Sequence, residues 1–415
     1  MQLLALCVAA YVASTEQTES HPVFMVTSLD SYPFTSMLRS AREMLFNYIG
    51  SNSEDISKFR KNLKYGKLQK QFPPHEPFPC NITSMRSATI PSSVHTLRPG
   101  DIDIVGAMGD SLTAGNGAMA TQLLEVSVEN RGLSWSIGGQ QTWRKFLTIP
   151  NILKEFNPKL YGFASADGLS YQKSSRFNVA EIAAMSQDLP YQAKNLVKRM
   201  MSDSKVDIQN HWKLITILIG ANDFCSNVCY FENPSQILLD HEQNLIRALR
   251  ILRDHLPRTM VNVASTPNVC QLTKVIGVPS ECVALHMVEC SCVFGSQFQH
   301  MKKQLNTIIL SWNELQRNVS NRAEFSDRVD FVVNYQPFAE NFSVPRKKNG
   351  DTDFSYLSLD CFHLSQKGYA IAANSLWNNM LDPEGRKVNY ISFNFSSIRC
   401  PSPDHPYLMT TINSS

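Results

Sequence analysis

IDIVGAMGDSLTAGNG, residues 102–117, is the stretch on which the reading of the fold turns. Its first eight residues are an apolar run closed by glycine, the pattern of a buried strand. Ser111 follows at once. In open α/β sheets, sites form in the crevice beyond the carboxyl ends of the strands. A serine there, beside glycine, is open to attack by a base, and its own N–H can point at a developing oxyanion. The same residues also suit a Gly/Ser turn that does nothing but cap a helix.

Three further runs read as strands: KLITILIG (213–220), TMVNVAS (259–265) and VDFVVNY (329–335). Helical periodicity fills the intervals. Met301, Leu305, Ile308, Trp312, Leu315 and Val319 fall on one helix face. Residues 188–201 and 234–252 also read as helices, and residues 34–49 as an amphipathic one. Strands alternating with helices imply a parallel sheet covered on both faces.

Two more polar clusters punctuate this pattern. Gly220-Ala221-Asn222-Asp223 follows the strongest strand. An Asn amide at that position can donate to a tetrahedral oxyanion, although an Asx-turn or helix cap would use the same residues. Asp360-Cys361-Phe362-His363 precedes a helical stretch. An Asp three residues before a His can orient the imidazole, which can then serve as general base for a distant serine. None of the other histidines has such a context.

The ordered set GDSLTAGNG, GAND and DCFH resembles the GDSL, or SGNH, hydrolases. The resemblance implies a three-layer α/β/α domain of flavodoxin-like type, with a parallel sheet of about five strands. It also implies a catalytic triad of Ser111, Asp360 and His363, and an oxyanion hole formed by Ser111, Ala183 and Asn222. In the family's second block an Asn is followed five residues later by Gly. Here Asn178 is followed by Ala183, so an alanine stands where the family's donor glycine is expected. Asp110 reads as a structural neighbour of the serine. No metal or cofactor is implied.

SSVHTLRPGDI (92–102), RGLSWSIGG (131–139), PNILKEFNP (150–158), DLPYQAKNLV (188–197), LWNNMLDPEGRK (376–387) and CPSPDHPYL (400–408) narrow the likeness. They resemble the membrane-associated phospholipase B family, whose members hydrolyse acyl esters of phospholipids and lysophospholipids. A serine esterase of that type is the expected function. Two alternatives are another SGNH esterase, such as a glycan deacetylase, and a non-catalytic lipid-binding paralogue. The expected partner is a phospholipid or lysophospholipid substrate. Contact with a membrane surface is a further expectation, for which the basic run Arg346-Lys347-Lys348 is a candidate.

Composition sets the remaining bounds. The formal net charge of the 415-residue chain is +3, which gives no reason to expect a nucleic-acid partner. MQLLALCVAAYVAS at the start reads as a signal peptide over residues 1–14, and no stretch is apolar enough to span a membrane. Sequons at Asn81, Asn318, Asn341, Asn394 and Asn413 agree with a secreted, extracellular glycoprotein. Ten cysteines occur, and loss of Cys7 with the leader leaves an odd number, most of them expected in disulfides. The Cys225/Cys229 and Cys290/Cys292 spacings suit zinc, but no histidine pattern completes a site. Cys270 alone does not fall on the phospholipase B cysteine pattern, so it is the expected free thiol. The expected organisation is a signal peptide (1–14), an N-terminal extension and linker (15–79), a hydrolase domain (80–408) and a tail (409–415).

Overall fold

The four apolar runs pair side by side in chain order. In the computed structural model, which describes residues 32–393 and 398–414, they are β1 (Ile102–Gly109), β2 (Trp212–Leu218), β3 (Thr259–Ala264) and β4 (Phe331–Gln336). The sheet is wholly parallel, in the order β1-β2-β3-β4, with Gly106 opposite Ile215, Ile215 opposite Val261, and Val261 opposite Val333. The expected fifth strand is only partly formed. Beyond β1 the chain makes isolated parallel bridges, Tyr161 to Ile104 and Asn178 to Ala107. This edge is held by one pair of backbone hydrogen bonds at each of two places, because residues 161–179 hold no apolar run long enough to form a strand.

The main helices are α1 (Tyr32–Ile49), α2 (Ile56–Lys64), α3 (Ile149–Phe156), α4 (Leu189–Ser202), α5 (Gln236–His255), α6 (Ser280–Glu289), α7 (Lys302–Ser320) and α8 (Gln366–Leu381). Alternation along each strand sorts them into layers. Val105, Ala107, Leu214 and Met260 face one way, onto a core shared with Ile152 and Leu153 of α3 and with Leu376 and Trp377 of α8. Ile104, Met108, Ile215 and Val261 face the other way, onto Leu196 and Met200 of α4 and Leu249 of α5. The result is the expected three-layer α/β/α sandwich. Gly106 permits the close approach of α4: a Cβ there would stand 2.8 Å from Met200 Cε.

Two units are distinguished, residues 1–50 and 51–415. The first contains α1. The second contains the sheet and all remaining helices, and Leu68, Cys80 and Met85 contribute to its core. The signal-peptide reading, Cys7 and Asn394 lie outside the described residues. Disulfides join Cys80 to Cys400, Cys225 to Cys290, Cys229 to Cys292, and Cys282 to Cys361. Among the described residues Cys270 has no disulfide partner and is buried, as expected. The sulfurs considered for zinc are thus all in disulfides.

The connection after β1 fixes the place of the site. The chain first runs to the open edge of β1, at residues 161 and 177–179, and then crosses to β2 on the other side. The order therefore reverses at the carboxyl end of β1, which makes it the topological switch point where α/β sheets open a crevice.

Candidate active site

Ser111 stands at that point. Gly109 ends β1 with φ of 149°, and a Cβ there would meet the Leu218 carbonyl at 2.3 Å, so the sharp exit requires glycine. Asp110 then caps the single helical turn Ser111–Ala114, its Oδ1 accepting from the Leu112 N–H at 2.9 Å. Burial pushes the Asp110 carboxyl up to about 6, against the opposing pull of His363. The Ser111 N–H has no acceptor among the described residues.

The Asp360–His363 turn is built by its own first residue. Asp360 Oδ1 accepts from the backbone N–H of Phe362 and of His363, both at 3.0 Å. That capping leaves Oδ2 for the imidazole, at 2.5 Å from His363 Nδ1. His363 Nε2 then stands 2.8 Å from Ser111 Oγ, across a sequence separation of 252 residues. The two blocks are also tied through their backbones. Ser358 Oγ donates to the Gly117 carbonyl at 2.7 Å, and the Gln366 N–H donates to Ala118 at 2.9 Å. Cys361, at φ 57°, makes the tight turn, and its disulfide to Cys282 holds it there.

Burial opposes charge on both members of this pair. On His363, the Asp360 charge and hydrogen bond outweigh burial, so its pKa stands above the ordinary range. On Asp360, the His363 charge and the N–H donors outweigh burial, so its pKa stands below. An ionised Asp360 accepts only, so Nδ1 carries the proton and neutral His363 presents a basic Nε2 to Ser111.

Ala183 and Asn222 lie on neighbouring loops. Asn222 Nδ2 donates to the Ala184 carbonyl at 2.9 Å, and the Glu181 N–H donates to Gly109 at the end of β1. Ala183 is exposed at φ 60°, and its N–H has no acceptor among the described residues. This loop is firmly held. Asp223 accepts from the Ser186 N–H at 3.0 Å, and buried Arg131 donates to the Asn178 side chain at 2.9 Å and to the Ala180 carbonyl at 2.7 Å.

An apolar cleft, partly open to solvent and with about 670 Å³ of empty space when its open mouth is counted, adjoins these residues. Leu112, Ala221, Phe362 and Leu364 line it, each next in sequence to Ser111, Asn222 or His363, and Trp135 and Phe338 complete its walls.

Sequence reading missed Glu289, the last residue of α6. Its carboxylate, that of Asp360 and the His363 ring each place an atom within 4.8 Å of one another. Nothing local marks it, because its position depends on which cysteines pair. Arg131 was likewise invisible as the clamp on the Ala183 loop.

A family model of the GDSL-like lipase/acylhydrolases matches residues 105–376. Membrane-associated phospholipase B1 of Homo sapiens is 40% identical over 335 residues, covering 79% of this chain and 22% of that protein. The proteins of the same name from Rattus norvegicus and Mus musculus match at the same identity and coverage. The chain thus spans about a fifth of the length of these relatives. A phospholipase A1 structure from Streptomyces albidoflavus aligns over 65% of this chain and 95% of its own, at 15% identity and a TM-score of 0.30. On the extent of the family match and of the identity to these relatives, the chain belongs to the GDSL-like lipase/acylhydrolase family.

Proposed function

We propose that the chain is a serine esterase that hydrolyses acyl esters of phospholipids and lysophospholipids. The observation that carries this reading is the Asp360–His363–Ser111 hydrogen-bonded chain beside a cavity walled by apolar side chains. An acyl chain in that cavity brings its ester carbonyl to Ser111. His363 Nε2 takes the serine proton as Oγ attacks, while Asp360 stabilises the imidazolium. The tetrahedral oxyanion is held by the Ser111 N–H, the Ala183 N–H and the Asn222 amide, whose second hydrogen is not used by Ala184. His363 protonates the departing alcohol. Water, activated by the same imidazole, then cleaves the acyl-enzyme. Phospholipase B1 in the names of the relatives supports the substrate class.

The apolar walls argue against an acetylated sugar, which needs polar partners for its hydroxyls. The free Ser111 and Ala183 N–H groups argue against a non-catalytic paralogue. We further propose export, with glycans at Asn81, Asn318 and Asn341, which are exposed. The Asn413 amide instead donates to the His95 and Leu408 carbonyls, so a glycan there requires both bonds to break. Among the described residues no helix is long and apolar enough to cross a membrane. Incubation with phosphatidylcholine, lysophosphatidylcholine and acetylated xylan tests the reading. Release of fatty acid from the lipids and not acetate from the xylan is expected. Acetate release alone, or no reaction with a fluorophosphonate, overturns it.

A further inference from the structure

Helix α6 is turned inside out. Val283, Ala284, Met287 and Val288 share one face and are all exposed, Met287 by 44% and Val283 by 53%. A surface helix ordinarily buries such a stripe. The inward face carries Cys282 and His286 instead. Cys282 is bonded to Cys361, and His286 Nε2 lies 3.2 Å from the Cys361 carbonyl. Immediately beyond the helix, Cys290 is bonded to Cys225, three residues after Asn222. A helix stapled at both ends to the loops of the site does not need apolar burial to stay in place, so its apolar face is left for something else.

A basic turn lies alongside. Exposed Ile276 donates its N–H to Thr352 Oγ1 at 2.8 Å and accepts from the Thr352 N–H at 3.3 Å. Thr352 pairs with Arg346, and the turn that follows exposes Arg346, Lys347 and Lys348, with Asp351 also exposed. Val344 and Val278 pack on the same small cluster, around Cys282 and Cys361. The apolar face and the cations therefore flank the loop that carries Asp360 and His363. Phe362, from that loop, lines the cavity and has its ring 6.4 Å from that of His286.

We propose that the outer face of α6 and the 346–348 turn form one docking surface for an anionic phospholipid bilayer. Apolar side chains enter the acyl boundary and the cations meet headgroup phosphates and carboxylates, which is how amphipathic surface helices bind. Seated this way, the protein turns the His363 loop and the cavity toward the layer that holds its substrate. This rests on the lipid-hydrolase reading, but binding is measured apart from hydrolysis.

The test is co-sedimentation with phosphatidylcholine vesicles, with and without phosphatidylserine, beside turnover of soluble p-nitrophenyl butyrate. The variants are Val283→Asp/Met287→Asp and Lys347→Glu/Lys348→Glu, all at exposed positions. The wild type is expected to prefer serine-containing vesicles. The apolar double variant should lose roughly tenfold or more in binding to both vesicle types. The charge variant should lose the preference, on the order of fivefold or more for each cation removed. Both should keep wild-type turnover of the soluble ester. Vesicle binding unchanged by Val283→Asp/Met287→Asp overturns the proposal, as does a wild-type dimer that this variant dissociates, which would mean that a second copy covers the face. Vesicle binding that behaves as expected without soluble-ester turnover would overturn the esterase reading and leave the docking surface standing.

Discussion

Half-buried Glu289 and buried Asp360 meet as two carboxyl groups beside one imidazole, with an atom of each and of His363 inside 4.8 Å. They cannot be equally charged. Asp360 has the imidazole and two N–H donors, which keep it ionised. Among the described residues Glu289 Oε2 has no hydrogen-bond partner, and burial first, then the Asp360 charge, push its carboxyl up to about 8. Near neutrality the pair thus carries about one negative charge. When Glu289 loses its proton it places a second negative charge beside the imidazole, which favours the protonated His363 and so opposes its use as a base.

Glu289→Gln removes that second charge. A Glu289 charge raises the pKa of His363, so the neutral amide should lower it. The acid limb of kcat/KM, which reports His363 losing its proton, is expected to move to lower pH, and kcat at neutral pH to hold or rise. A pH profile on p-nitrophenyl butyrate checks this. A limb that stays in place would mean that Glu289 does not influence the imidazole.

Replacing either Ser111 or His363 with alanine should remove nearly all turnover, on the order of 10⁴- to 10⁶-fold, and the double variant should be little worse, because the two act as one unit. Asp360→Asn should cost about 10⁴-fold by favouring the wrong imidazole tautomer. Circular dichroism of each variant should match wild type. A Ser111→Ala protein that retains a tenth of wild-type turnover would exclude Ser111 as nucleophile.

Much of this arrangement is legible in the sequence, for a physical reason. Parallel strands buried on both faces must be apolar throughout, so β1 to β4 stand out as runs. The loops at their carboxyl ends hold polar residues with little structural reason to be there, which exposes Ser111, Asn222 and the Asp360–His363 pair. The open edge of β1 escapes because Tyr161 and Asn178 hold it by single bridges that need no pattern. Helix α6 escapes for the opposite reason. Its apolar stripe predicts an inward face, but Cys282 and Cys290 reverse it through bonds to residues far away in sequence.

Alkylation of the denatured but unreduced protein should label Cys270 and none of the eight bridged cysteines. Under native conditions even Cys270 should react slowly, because burial pushes its thiol up to about 11 and leaves little thiolate. Peptide mapping after each treatment reads both outcomes. Cys270 found in a bridge would break the pairing scheme.

Ala183→Gly decides what the alanine costs. At φ 60° Ala183 already occupies the left-handed region, at roughly 1–2 kcal/mol of strain. Glycine relieves that strain but restores freedom to the unfolded chain, worth about 0.4–1 kcal/mol in the other direction. The net gain in stability should therefore be small, about 1 kcal/mol or less. Turnover should change even less in proportion, because alanine holds the N–H in the conformation glycine would adopt. A β-branched side chain is another matter. At this exposed position Ala183→Val meets no packing obstacle, yet valine resists positive φ strongly, and the loop should turn the N–H away. Loss of one oxyanion donor costs about a hundredfold to a thousandfold in turnover. The expected order is thus Gly close to Ala, with Val lower by up to that factor and substrate KM little altered in all three. Turnover and thermal midpoints of the three proteins on one lysophospholipid measure it. If Val matches Ala in kcat, the Ala183 N–H takes no part in holding the oxyanion. If Gly exceeds Ala by a hundredfold, the alanine does displace the donor despite its backbone angle.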